Sequence, residues 1–240
     1  MTTFITKDTI SRLLKDVKYI FKNPLTENGI YYIHDDSDIM KGYALIIGPS
    51  DTPYFGGNYF FEFNYPSDYP HSPPKVKYWT NGNNIRFNPN LYKCGKVCVS
   101  LLNTWRGDQW TSCQSISTVL LTLCTLLCEN PLLNEPGVTK THVDMINYTD
   151  IIEYSNIDIA ICNIIDKKSG YYQPFFENFY PFIKENFIKN YEKILEFSQE
   201  KANHKFKDIT VVKTSFYTMN ITIDYHMQIE KLKESFKKIL

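Results

Sequence analysis

Net charge is absent from this chain of 240 residues: Lys and Arg together number 26, and Asp and Glu also number 26. Nucleic-acid-binding domains usually carry a basic excess, so a nucleic-acid partner is not expected. Basic side chains do cluster at 201–207 and in the last predicted helix. A charged helix face is most often a solvated surface, and these clusters do not change the expectation.

Cysteine is also scarce, since six residues are too few for a disulfide scaffold in a chain of this length. The most apolar stretch, 119–128, is about half as long as a membrane span. Residues 1–8 contain no apolar signal core. These absences predict a protein of the cytoplasm that has no membrane partner. Such a protein can also reach the nucleus, either by diffusion or together with a carrier protein.

Metal-ligand spacings and phosphate-binding loops are missing as well. The five histidines are scattered along the chain: His34, His71, His142, His204 and His226. Cys94 and Cys98 have no second Cys or His pair at a zinc spacing. Gly56 and Gly57 form a turn, and no histidine has the context of a protease base. We therefore expect no metal and no bound cofactor.

Hydrophobic periodicity predicts an α+β chain. Apolar residues at helical spacing indicate a first helix over 10–21, which Thr6 or Asp8 can cap and Pro24 ends. Short, turn-rich links between the next runs favour a four-stranded antiparallel meander, with strands at 30–34, 41–48, 58–65 and 75–80. The Pro-rich link before the last strand cannot be helical, and a cis peptide bond at Pro74 is a hypothesis.

Helices are predicted after the meander. A run that is apolar nearly all round predicts a buried central helix over 115–128, and a second helix covers 148–166. The break at 167–170 then separates a core domain of 1–166 from a C-terminal helical extension of 167–240.

The extension has three predicted parts. A helical stretch is kinked near Pro181, and 209–223 is either strand or loop. Asp224 can cap a last amphipathic helix that follows it.

The segment 81–111 is long, irregular and rich in turn residues, which is typical of functional or disordered segments, and its Trp, Leu and Phe content favours order. Within it, Cys98 follows an Asn-Pro-Asn turn at 88–90. A thiolate attacks carbonyl carbon at neutral pH, and the resulting thioester stays activated toward amines. An isolated cysteine in a Val-rich run is more often structural. An Asn-Pro-Asn turn is unusual beside a core strand, because it lowers stability unless its side-chain amides have a function.

Asn90 has two interpretations that the residues leave open. Its amide could stabilise the oxyanion that forms when an amine attacks a thioester, an effect of roughly 10²–10³ in rate at comparable sites. Alternatively, it only braces the loop through the backbone.

Several segments together resemble the core of the ubiquitin-conjugating enzyme family over about residues 6–165. They follow the family's order and spacing: 49–57, 65–70, 72–76, 88–90, 95–98, Trp110 and 126–131. The resemblance implies the ubiquitin-conjugating (UBC) fold and a transferase that carries ubiquitin or a ubiquitin-like modifier as a thioester on Cys98. It also implies that a separate activating enzyme uses ATP and Mg²⁺, and that lysine amines or a ligase cysteine receive the modifier.

The chain resembles one subgroup of the family in particular, whose members are long. The segments that carry this resemblance are 80–90, 103–110, 114–117 and 129–137. This subgroup implies charging by a dual-specificity activating enzyme, which handles ubiquitin and a tandem ubiquitin-like modifier. Asn88 replaces the family's usual His, and Ser100 replaces an acid common in small members. Glu135 or Glu129 is a candidate for the missing acid.

The resemblance also implies partner-binding residues. Arg12, Lys15 and Lys18 on the first helix would contact the activating enzyme, and a solvated face is the equal alternative. Four side chains would meet ligases: His71, Ser72, Trp110 and Ser112. His71 stands where ligase-binding members often have Phe, and Ser112-Cys113-Gln114 replaces their Ser-Pro-Ala.

Two other classes of function remain open at this stage. One is a non-catalytic binding module on the same fold, against which Cys98 and Asn90 argue. The other is a structural scaffold whose function lies in 167–240.

Overall fold

The computed structural model describes residues 5–240 and contains a four-stranded antiparallel sheet, in which each strand pairs with the next along the chain. The strands are β1 (Ile30–His34), β2 (Lys41–Ile47), β3 (Asn58–Asn64) and β4 (Lys75–Tyr78). The predicted meander is confirmed, with strand ends one or two residues earlier than predicted at β2, β3 and β4. β3 is buried on both faces, because helices cover the sheet on each side.

The link between β3 and β4 contains a cis peptide bond at Tyr69–Pro70. It is the only cis bond found between residues 5 and 240, so the hypothesis of a cis bond at Pro74 is wrong.

Two helices pack on the first face of the sheet. Helix α1 (Lys7–Lys22) is capped by Thr6, whose hydroxyl accepts the Thr9 N–H at 3.1 Å. Helix α2 (Ile116–Leu126) is capped by Ser115 in the same manner. α2 is the predicted buried central helix, although one side of it reaches the surface, where Leu121 is 41% exposed.

The second face of the sheet is covered by the C-terminal region. Helix α3 (Met145–Ser155) continues into a π-helical segment, Asn156–Asn163, so the second helix predicted after the meander is longer than expected at its start. Beyond it, the ring of Phe176 stacks on Phe60 of β3 with centroids 3.5 Å apart. A second apolar core forms on this face from residues of the sheet, of the α3 continuation and of the extension at 176–194, 232 and 239. Helix α3 and the hairpin contribute to the first core, together with α1 and α2.

The extension contains helices α4 (Tyr180–Asn203) and α5 (Tyr225–Ile239), joined through a hairpin of β5 (Thr210–Lys213) and β6 (Asn220–Ile223). The ambiguous segment 209–223 is therefore largely strand, and the extension is not wholly helical. Pro181 lies in the first turn of α4, where its missing N–H costs nothing, and a 3₁₀ helix over Pro174–Phe179 precedes α4 directly, so the predicted helical stretch changes type near this proline. Asp224 caps α5 as predicted, by accepting the Met227 N–H at 2.9 Å.

Ion pairs join the extension to α3 and its continuation. Lys205 contacts Asp150 at 2.5 Å, and Lys201 contacts Glu153. Lys231 and Lys238 of α5 pair with Asp158 and Asp166. Throughout the described part of the chain, no helix combines the length and the apolar character that a membrane span requires.

Candidate active site

The segment 88–98 folds into a narrow loop whose two sides run antiparallel. Leu91 bridges to both Asn88 and Val97, and the Tyr92 N–H donates to the Lys96 carbonyl at 2.9 Å. Gly95 turns the loop at φ +90°, and a Cβ there would lie 2.8 Å from the Tyr78 carbonyl oxygen. Only glycine combines this backbone conformation with this approach to β4.

Asn88 fixes the base of the loop. Its side chain is completely buried, and its Oδ1 accepts the Asn90 N–H at 2.9 Å. Its Nδ2 donates to the carbonyl of Leu126, the last residue of α2, at 2.7 Å. The residue that replaces the family's usual His thus joins the active-site turn to the central helix.

Asn90 and Cys98 face each other across the loop through two hydrogen bonds. The Cys98 N–H donates to the Asn90 carbonyl at 2.9 Å, and the Asn90 Nδ2 donates to the Cys98 carbonyl at 2.5 Å. In this conformation the carboxamide braces the loop.

The thiol of Cys98 is covered. Only 3% of the residue is exposed, and its Sγ donates to the main-chain carbonyl of Thr104 at 2.9 Å. In this conformation the Cys98 thiol is therefore not open to solvent at the mouth of the turn-rich loop. An S–H held by a carbonyl is a thiol, whereas the nucleophile is the thiolate, so reaction requires this contact to break.

Thr104 is a site residue that sequence reasoning missed. Its hydroxyl lies 3.0 Å from the carbonyls of both Val97 and Val99, which share its one proton, and it accepts the Val99 N–H at 2.9 Å. A threonine that follows a 3₁₀ turn, here Ser100–Leu102, is a weak signal, because only the folded loop brings its hydroxyl to these groups.

The exposed residues 103–109, which we call the covering segment, are held at both ends. Asn103 has a left-handed backbone, φ 56°, and its Oδ1 accepts the Trp110 N–H at 2.9 Å. The Trp110 indole N–H donates to the Pro70 carbonyl at 2.7 Å. Trp110 is 7% exposed, so it anchors the segment and offers a ligase little surface.

Ser100, which replaces the acid of small family members, and Glu135, a candidate for that acid, each have other neighbours. Ser100 lies beneath the covering segment, where a Cβ on Gly107 would be 3.1 Å from the Ser100 Cβ. Glu135 accepts a hydrogen bond from the Tyr217 hydroxyl of the C-terminal hairpin. The carboxylate predicted to act on an incoming lysine is therefore already used by the extension.

The predicted activating-enzyme contacts on α1 fall into two groups. Lys15 and Lys18 are exposed. The Arg12 guanidinium instead pairs with Asp16 at 3.0 Å and donates to the carbonyls of Ser112 and Gln114 at 2.5 and 2.6 Å. Arg12 therefore fastens the loop before α2 to α1, and partner binding at all three positions stays a prediction.

The predicted ligase contacts lie on two loops. His71 and Ser112 are exposed, and the Ser72 hydroxyl donates to Asp68 at 2.6 Å. The indole bond from Trp110 to Pro70 joins the two loops.

Basic groups surround the Asn-Pro-Asn turn. Arg86 is 9% exposed, and Lys93 donates to the Tyr217 carbonyl at 2.9 Å. Burial, and then the nearby charge of Arg86, lowers the pKa of Lys93. Between residues 5 and 240 no three His, Cys, Asp or Glu side chains are grouped as metal ligands.

These features define an α+β protein in which one enclosed cysteine is held opposite an asparagine amide. The family model described as Ubiquitin-conjugating enzyme matches residues 12–173, which is more than half of the chain. The chain belongs to the ubiquitin-conjugating enzyme family, as the motifs predicted.

Individual relatives agree with this assignment. The chain is 45% identical over 160 residues to "Ubiquitin-conjugating enzyme E2 Z" of Homo sapiens, covering 65% of this chain and 45% of the relative. It is 44% identical over 162 residues to the protein of that name in Xenopus tropicalis, covering 66% and 51%. It is 33% identical over 230 residues to "Probable ubiquitin-conjugating enzyme protein 17" of Caenorhabditis elegans, covering 88% and 31%. The chain spans about half the length of the two E2 Z relatives. The resemblance to the long subgroup is confirmed.

Proposed function

We propose that this chain conjugates ubiquitin or a ubiquitin-like modifier and carries it as a thioester on Cys98. The observation that carries the proposal is the pairing of Cys98 with Asn90 across the loop, by hydrogen bonds of 2.9 and 2.5 Å. Family membership and the E2 Z relatives support the same chemistry. The proposed partners are the modifier, an activating enzyme of the dual-specificity type, a ligase and lysine-bearing proteins. The proposed location is the cytoplasm, and also the nucleus.

Charging is a thioester exchange. Cys98 first loses its S–H proton to water. The Cys98 thiolate then attacks the modifier's C-terminal carbonyl, the C–S bond to the activating enzyme breaks, and that enzyme's cysteine leaves as a thiolate that takes up a proton from water. One thioester replaces another, so ATP and Mg²⁺ are needed only on the activating enzyme. The covering segment must first release the Sγ from the Thr104 carbonyl, which holds it at 2.9 Å.

Transfer then breaks the new thioester. A neutral lysine amine attacks the carbonyl, the oxyanion collapses, the Cys98 thiolate leaves and the excess amine proton passes to water. In this proposal the Asn90 amide is released from the Cys98 carbonyl and then donates to the oxyanion. Attack by a ligase cysteine follows the same course without the amine proton.

A charging gel tests the proposal. With activating enzyme, ATP, Mg²⁺ and ubiquitin, the chain should form a thiol-sensitive adduct that Cys98→Ala abolishes and Cys94→Ala retains. Cys94 is the matched control because it is exposed and only four residues away. Cys98→Lys should give a stable isopeptide. An adduct that survives in Cys98→Ala would contradict the site assignment.

The same gel separates the alternative, a non-catalytic binding module on the same fold. Such a module would bind modifier or ligase without forming an adduct with either known activating enzyme. The retained cysteine and its asparagine partner favour the enzyme.

A further inference from the structure

The tip of the C-terminal hairpin, residues 214–219, reaches back to the active-site loop. Its Tyr217 lies between Arg86 and Glu135: the ring centroid is 4.7 Å from the Arg86 guanidinium carbon, and the hydroxyl donates to the Glu135 carboxylate. Its carbonyl accepts from Lys93 at 2.9 Å, and Met219 accepts the Arg86 N–H through sulfur at 3.2 Å. One turn of the extension thus contacts residues on both sides of the Asn-Pro-Asn sequence.

Arg86 transmits this contact to the turn. Its Nε donates to the Asn88 carbonyl at 3.2 Å and its Nη2 to the Pro89 carbonyl at 2.5 Å. These are the two carbonyls that immediately precede Asn90. The guanidinium carbon also lies 3.4 Å from the Tyr92 ring centroid, so Arg86 contacts two aromatic rings.

The buried cation of Arg86 depends on each of the carbonyls and aromatic rings around it. Arg86 is 9% exposed, and none of the ion pairs found among residues 5–240 includes it. Burying a cation is costly unless acceptors and aromatic faces replace its water. Here two carbonyls and two rings do so, and one of the rings belongs to the extension.

The hairpin tip is itself strained. Tyr217 and Thr218 both have left-handed backbones, with φ of 60° and 47°. An aromatic and a β-branched residue pay for this conformation, so other contacts must hold it. Asp144 does so, by accepting from the Ser215 hydroxyl at 2.6 Å and from the Phe216 N–H at 2.9 Å.

We infer that Tyr217 is a positioning residue for Asn90, acting through Arg86 on the carbonyls of Asn88 and Pro89. The inference rests on the proposed function and assigns the extension a part in it. Without the Tyr217 ring, the Arg86 guanidinium loses one of its two aromatic contacts and is free to turn toward water. The turn then loses two hydrogen bonds, and the Asn90 amide loses its fixed direction. Cys98 and its approach to the activating enzyme are affected less.

The test is single-turnover discharge of ubiquitin-charged protein to free lysine and, in parallel, to hydroxylamine, whose amine is neutral at pH 7. Asn90→Ala should lower the maximal rate about 10²-fold. Tyr217→Ala should lower it about tenfold, because misplaced groups lose much of their effect. The amine concentration for half-maximal rate and the extent of charging should change little.

A double variant tests the route. Asn90→Ala combined with Tyr217→Ala should be no slower than Asn90→Ala alone, since residues acting as a unit are not additive. A Tyr217→Ala rate equal to that of the unmodified protein overturns the inference. A double variant slowed by the full product of the two effects overturns it too, and so does an Asn90→Ala variant that is not slowed. If the unmodified chain forms no thioester, the proposed function itself fails.

Folding defects are separated by matched variants. Tyr171→Ala removes another tyrosine of the extension that contacts the core, where its hydroxyl donates to the Asn83 side chain at 2.6 Å. This variant should discharge ubiquitin at the rate of the unmodified protein, even if its melting temperature is lower. If Tyr217→Ala does not fold, Tyr217→Phe and Arg86→Lys replace it. Tyr217→Phe keeps the ring and loses only the Glu135 bond, so it should slow discharge less than Arg86→Lys, which loses the paired carbonyl contacts. The reverse order overturns the route through Arg86.

Discussion

The thiol of Cys98 and the main-chain carbonyl of Thr104 are joined by a hydrogen bond of 2.9 Å, which places the nucleophile beneath the residues that follow it. Access to sulfur therefore depends on how often the covering segment, 103–109, opens. This relationship leads to the first prediction.

Cys98 should be alkylated slowly in the resting protein, because it is 3% exposed, whereas Cys94 and Cys113 are exposed. Trp110→Ala removes the indole bond to Pro70 and should speed labelling of Cys98 about tenfold by raising the open population. Timed iodoacetamide labelling with peptide mass spectrometry measures all three thiols at once.

Cys113 serves as the internal control, and its rate should not follow that of Cys98. Rapid labelling of Cys98 in the unmodified protein would contradict the covered thiol.

Phe176 should be essential to the joint between the extension and the sheet. It is completely buried and stacks on Phe60 at 3.5 Å, so Phe176→Ala should lower the free energy of unfolding by about 3–5 kcal/mol. Denaturant titration followed by tryptophan fluorescence measures the loss.

The matched control is Phe182→Ala. Phe182 also stacks on the sheet, at 4.4 Å from Tyr31, but it is 37% exposed and should cost less than half as much. Equal losses would mean that burial does not decide the contribution.

Gly95 should tolerate no side chain. Gly95→Ala must place a Cβ 2.8 Å from the Tyr78 carbonyl at φ +90°, so we expect a loss of about 1–3 kcal/mol in unfolding free energy and slower charging. Gly170→Ala is the control, since it shares a positive φ, 86°, but its Cβ would meet nothing within 4 Å. Thermal melting and the charging gel together compare the two. A normal charging rate for Gly95→Ala would contradict the described loop.

His34 should make stability depend on pH. Burial lowers its pKa below the ordinary value of about 6.5, although Asp35, Asp36 and Asp38 oppose this. Its ring contacts the Tyr32 hydroxyl at 2.8 Å and the Ile39 carbonyl at 2.9 Å. Below about pH 6.5 the unfolded chain takes up the proton more readily, so the contribution present at pH 7.5 is lost as pH falls.

The measurement is unfolding free energy at pH 7.5 and 5.5. His34→Gln, which cannot titrate, should reduce the decrease between the two values, and the same change at exposed His71 should alter it less. An increase in stability on acidification, removed by His34→Gln, would contradict the direction of the shift.

The parts of the molecule that sequence predicted are those with local patterns. The strands, α1 and the Asp224 cap follow from periodicity and short-range signals, and Asn90 and Cys98 are eight residues apart within one motif. Thr104 was not predicted as a site residue because its hydroxyl reaches its hydrogen-bond partners only after the loop folds. Tyr217 was not predicted because its partner Glu135 is 82 residues away in the chain. The ambiguous strand pattern around Tyr217 does not indicate such a contact.

The aromatic stacking between the sheet and the extension has a further consequence. The rings of Tyr31, Tyr43 and Phe60 lie on the sheet face that the extension covers, and each is stacked on a phenylalanine of the chain itself: Phe182, Phe175 and Phe176. A regulator that relies on a bare sheet surface would have to displace the segment 175–182, which ends in the first turn of α4, before it could bind. Footprints mapped on family members without such a cover cannot be transferred to this protein unchanged.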